Sequence, residues 1–152
     1  MNFRLVRALP LFLAGMASLT AHATEAAHVQ ARDAWIRVLP GDLPAGGYVV
    51  LENISDQPIN VRAVQSARYG SAMLHESSNA GGVSRMSMVD SLAIPAHAKV
   101  ALSPGGYHLM LMSPTAPVKV GDKIKVSFTF DDGSTLDADF TAQPANAAGA
   151  GG

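Results

Sequence analysis

Five methionines and two histidines fall in three short stretches: Met73-Leu74-His75, Ser84-Arg85-Met86-Ser87-Met88 and Tyr107-His108-Leu109-Met110-Leu111-Met112. Every methionine beyond the N-terminal leader lies in one of them. Thioether sulfur is a soft, neutral donor that suits Cu(I), and imidazole binds copper in either oxidation state. Magnesium and calcium need hard oxygen donors, and structural zinc normally takes Cys or His. The chain has no cysteine, so a soft-metal site must be built from methionine and histidine. A blue-copper electron carrier, which needs a thiolate, is excluded. Two imidazoles with two thioethers would favour Cu(I) in a roughly tetrahedral shell. Any one methionine commonly fills a gap in a core; five in three such segments are harder to read as packing.

The elements that must position these side chains read as strands. Alternation puts His108, Met110 and Met112 on one face and Tyr107, Leu109 and Leu111 on the other. Met73 and His75 likewise share a face opposite Leu74. The leucines supply the core face, which frees sulfur and imidazole to line a surface site. In the middle stretch Met86 and Met88 oppose Arg85 and Ser87, so alternation alone turns both methionines inward. A ligand role there needs a strand end or a loop.

Strands are also expected over residues 28–38, 47–53, 59–64, 83–89 and 92–94 and around Val100 and Leu102, with Ile59, Val61 and Ala63 on one face. Residues 39–47 hold two prolines and three glycines and read as a turn region. The clearest hairpin is last: Ile124, Val126, Phe128 and Phe130 alternate with polar residues, Asp131-Asp132-Gly133 turns, and Leu136, Ala138 and Phe140 return. No segment sustains a 3.6-residue period. Eight or nine short strands argue for an all-β single domain, an antiparallel sandwich or Greek-key barrel.

Residues 1–23 read as a secretory signal, with Arg4 and Arg7, a short apolar run and Ala21-His22-Ala23 as the cleavage signature near Ala23. The run is too short and too interrupted for a membrane span. Residues 24–142 then form one domain, and the small-residue stretch 143–152 is expected to be disordered. Without Arg4 and Arg7 the chain keeps 9 basic against 12 acidic side chains, which points away from nucleic acid and from anionic membranes. His97, in Pro95-Ala96-His97-Ala98, reads as a solvated loop residue. His28, near the mature N-terminus, is a candidate donor for an additional, weaker Cu(II) position. Trp35, Tyr48 and Phe128 read as core or sandwich-edge aromatics.

His75, ten residues, Met86, twenty-one residues, His108, one residue, Met110 is a spaced pattern embedded in distinctive flanks. Those flanks are Ala34-Trp35-Ile36-Arg37, Tyr48 with Leu51-Glu52-Asn53, Gly82-Val83, Pro104-Gly105-Gly106-Tyr107 and Gly121-Asp122. Together they resemble the periplasmic copper chaperones called PCu(A)C, over the chain to about Thr141. The resemblance implies a cupredoxin-like β-sandwich binding one Cu(I) through His75, Met86, His108 and Met110. Met73, Met88 and Met112 lie near these four in sequence and read as a soft outer shell or a handover path, with simple packing as the alternative. The resemblance also implies a periplasmic protein that hands copper to cytochrome oxidase assembly, often alongside Sco-type proteins; a monomer is expected, with the dinuclear copper subunit of the oxidase as acceptor. The His- and Met-rich C-terminal extension of some relatives is missing here. Two other classes stay open: a copper enzyme, which needs an open metal position and a substrate pocket, and a metal-free envelope sandwich whose methionines pack. Copper storage or tolerance is a variant of the first reading.

Overall fold

The computed structural model describes residues 22–151; the expected signal segment falls almost wholly outside them. After one 3-10 turn, Glu25–His28, the chain forms ten strands. They are β1 (Val29–Arg37), β2 (Ala45–Asn53), β3 (Ile59–Gln65), β4 (Tyr69–Ala80) and β5 (Val83–Met88), then β6 (Leu92–Ile94), β7 (Lys99–Leu102), β8 (Tyr107–Pro114), β9 (Lys123–Phe130) and β10 (Thr135–Gln143). Among the described residues no helix is long and apolar enough to cross a membrane.

The strands form one hydrogen-bonded path in the order β5-β4-β8-β2-β1-β10-β9-β3-β6. β7 and β8 share one edge of β2, pairing with residues 49–52 and 45–47 respectively. The path curls until β3 packs against β4, so strands far apart in the order bury their inner faces together. This is the cupredoxin-like, all-β arrangement expected, with one difference: β1 and β10 pair in parallel. Two strands from opposite ends of a chain can run parallel without a local crossover, and no alternation pattern reveals it.

The inner faces follow the period of two. Ile124, Val126, Phe128 and Phe130 on β9 and Phe140 on β10 are all buried, as are Leu74, Leu109 and Leu111. Burying such side chains contributes about 1.5–3 kcal/mol each, and the chain has no disulfide to assist it.

Two bulges reset the alternation. In β1 the register slips between Arg32 and Trp35, at Asp33, whose φ is 53°. Val29 and Ala31 precede the slip on the inner side, yet after it Ile36 takes the inner side and Trp35, also buried, packs on the outer face opposite Tyr48. In β3 a slip between Val61 and Ala63 leaves Ala63 exposed and Val64 buried, so the expected common face of Ile59, Val61 and Ala63 ends at Val61.

The outer face of β1 and β2 carries a second, small cluster. Trp35 and Tyr48 pack with ring centroids 4.6 Å apart, tilted by 37°, and the Arg37 guanidinium lies 5.3 and 5.5 Å from the two rings. Instead of extending into solvent, the small-residue tail lies on this cluster. Ala147 is buried against Trp35 and Tyr48, its carbonyl accepts from Arg37 Nε and Nη2, and Gln143 Nε2 donates to Ala150 O. Composition suggested disorder because the docking surface belongs to β1 and β2, about a hundred residues away in sequence.

Candidate metal centre

β4 and β8 are antiparallel neighbours, and their register sets His75 opposite His108 and, two residues along, Met73 opposite Met110. The next outward pair is Ser71 with Met112. The intervening pairs, Leu74 with Leu109 and Ala72 with Leu111, face inward. Directly opposed residues share a face, so both imidazoles and all three of these sulfurs project from the outer side.

β5 extends the same face. Met88 stands opposite His75, and Met86 opposite Ser77. Both methionines therefore lie outward with the histidines, contrary to the expectation from alternation against Arg85 and Ser87. The reason is that β5 overhangs the core at the end of the sheet, every one of its residues is exposed, and it has no inner side. None of the five methionines belongs to the buried core, and Met86 and Met88 are 54% and 63% exposed. His97 is indeed remote and exposed, with Nε2 2.5 Å from Asp56 Oδ1. His28 contacts its own turn through Nδ1 and Thr24 O.

The two imidazole rings lie with centroids 5.8 Å apart, tilted by 59°. His108 is 8% exposed, and its Nδ1 donates to Gly106 O at 3.1 Å. A carbonyl can only accept, so the proton sits on Nδ1 and the Nε2 lone pair is free for a metal. The Pro104-Gly105-Gly106 turn supplies this anchor: φ of 87° at Gly105 suits glycine, and the turn directs the Gly106 carbonyl back at the ring. Every residue has a backbone carbonyl, so nothing in the sequence marks this one as an anchor.

His75 differs. Its Nδ1 is buried without a hydrogen-bond partner, and burial, followed by the neighbouring His108, lowers its pKa below the ordinary value. A neutral imidazole with an unsatisfied nitrogen beside a second imidazole fits a metal, since among the described residues nothing else satisfies that nitrogen. Among the described residues no three His, Cys, Asp or Glu side chains gather as a metal-binding group. The donors present are two imidazoles ringed by thioethers, a soft and neutral set.

One further contact positions β8. A Cβ at Gly47 would stand 3.0 Å from Leu109 Cβ; glycine there lets β2 and β8 close on each other, with His108 and Met110 flanking Leu109.

A curled all-β sheet that carries paired imidazoles and thioethers on the outer face of one wing is the class the fold and site define. Residues 29–142 match the LpqE-like family model, and the chain belongs to that family. It is 38% identical over 108 residues to a Leifsonia xyli subsp. xyli protein named "Putative lipoprotein Lxx21020", covering 70% of this chain and 64% of that one. The chain thus spans a little under two thirds of that relative. Among solved structures, the copper-bound PCuAC domain from PmoF2 shares the fold at TM-score 0.66 and 22% identity, covering 81% of this chain and 98% of that domain. The solution structure of CuI-DR1885 from Deinococcus radiodurans gives TM-score 0.61 at 32% identity, covering 81% of each chain.

Proposed function

We propose that the protein is an exported copper chaperone of the periplasm that carries one Cu(I) on His75, His108, Met86 and Met110 and releases it to an acceptor protein. The observation that carries this reading is the β4–β8 register, which sets His75 against His108 and Met73 against Met110 on one outer face. The copper-bound state of the two structural relatives supports the choice of metal. Copper is here the cargo. His108 Nε2, freed by the Gly106 anchor, and the unpartnered nitrogen of His75 provide two fixed donors, while Met110 on β8 and Met86 on the exposed edge strand provide exchangeable ones. Neutral thioethers can be replaced singly by an acceptor's ligands, so transfer needs docking but no redox step. The dinuclear copper subunit of cytochrome oxidase, reached directly or through a Sco-type protein, is the proposed acceptor.

A metal-free sandwich would use methionine as core filling, and the exposure of Met86 and Met88 leaves little packing for them to do. The test is a Cu(I) competition titration with a chromophoric chelator on the wild type, Met86→Leu and His108→Ala. One tight equivalent is expected, weakened by about tenfold or more in each variant. Unchanged binding in both would return the methionines and His108 to structural roles.

A further inference from the structure

We propose that His75, Met88 and Met73 form a second Cu(I) position, which shares His75 with the four-ligand site and opens onto the cleft between β3 and β4. The proposal rests on the copper reading above and adds the route by which the ion leaves. Its starting point is register. Val89 N donates to Leu74 O at 2.9 Å, which makes residues 74 and 89 the hydrogen-bonded pair and leaves His75 and Met88 in the adjacent non-hydrogen-bonded position. Opposed residues there have Cα atoms about 4.5 Å apart and the closest side chains of an antiparallel ladder. Met86, opposite Ser77, reaches His75 only along a diagonal of about 7–8 Å. The sulfur that the sheet places nearest His75 on the β5 side is therefore that of Met88.

Met73 completes the set from β4 itself, two residues before His75 on the same face. β5 ends at Met88, so toward Met73 the edge of β4 loses its hydrogen-bonded neighbour and faces β3 instead. A cleft of about 240 Å³ lies there, and Met73 and Met88 both line it, with Val64, Val89, Arg62 and Asp90. Two thioethers, neither of them in the four-ligand set, thus line one solvent-open cleft; His75 does not line it but stands next to both in the sheet, opposite Met88 and two residues from Met73. An ion held by His75 can exchange Met86 for Met88 and the β8 donors for Met73. Every donor is neutral, so the charge and the oxidation state of copper stay the same throughout. The first position is anchored by the buried His108; the second stands at an open mouth, where an acceptor's ligands can reach it.

The test uses the mature protein and methionine-to-leucine changes, which remove sulfur while nearly conserving volume. Cu(I) affinity is measured for the wild type, Met86→Leu/Met110→Leu, and that variant with Met73→Leu/Met88→Leu added. The double variant should keep one equivalent, bound about tenfold or more weakly than the wild type, and the quadruple variant, left with the two imidazoles and Met112, should bind about tenfold or more weakly again. Copper-edge X-ray absorption of the double variant should show sulfur in the first shell. No binding by the double variant, a sulfur-free shell, or identical binding by double and quadruple variants overturns the second position. A double variant equal to the wild type instead sinks the four-ligand reading, and the quadruple variant still decides the second position. A wild type without Cu(I) affinity overturns both.

Discussion

Two histidines of the same type face each other and are held differently. His108 is oriented by a carbonyl two residues upstream, whereas His75 has no partner for a buried ring nitrogen. Burial, then the adjacent His108, pushes the His75 pKa down. Protonation is what expels a metal from imidazole, so a lowered pKa shifts that loss to more acidic solution. With His75 as a donor, Cu(I) affinity should stay level as pH falls toward the ordinary histidine value of about 6.5 and decline only below it. Competition titrations between about pH 5 and 8 check this; no pH dependence between about 5 and 7 would count against both histidines as ligands.

At the scale of strands, the site depends on how closely β8 approaches β2 and on where β5 stops. Gly47 sets the first. Its substitution by alanine drives a Cβ against the Cβ and Cδ1 of Leu109, at 3.0 and 3.2 Å, and Leu109 is fully buried and cannot yield. Overpacking of this kind costs about 1–3 kcal/mol, so Gly47→Ala should lower the thermal midpoint by several degrees. Because His108 and Met110 flank Leu109, Cu(I) affinity should fall with it. A variant with wild-type midpoint and affinity would show that the β2–β8 spacing has slack. The end of β5 at Met88 sets the second feature. It leaves part of the β4 edge unpaired beside the site, and unpaired strand edges are normally protected; here the curl of the sheet brings β3 to that flank.

Across the whole molecule, both ends of the described residues are tied to distant strands. Glu25 N donates to Asp132 Oδ2 at the turn between β9 and β10, and the tail covers Trp35 beside Arg37. Deleting the chain after Gln143 would uncover the single tryptophan of the sequence and remove the carbonyl that Arg37 reaches. A red shift of tryptophan emission is expected, with a loss of about 1 kcal/mol in stability from the lost hydrogen bonds and contact. An emission spectrum unchanged by the deletion would place the tail off the cluster. Cu(I) binding should survive it, since none of the proposed donors lies beyond Met112.

The sequence by itself determined the all-β class, the approximate extent of nearly every strand and the outer face of β4 and β8. Each of these follows from a period of two that is written locally in the order of residues. His75 with His108 and Met110 were legible for the same reason, with the leucines between them marking the core side. Alternation misled at Met86 and Met88 and at Ala63. There the outcome hinged on whether a core exists beneath the strand, or on a bulge whose effect is to exchange the two faces. Only the tertiary structure decided which strands pair, that β1 and β10 run parallel, that the tail lies on Trp35, and that Met88 rather than Met86 stands opposite His75. Those are properties of register between segments far apart in the chain. A slip of one residue reverses the face of every side chain in a strand, so register is settled by the packed molecule as a whole.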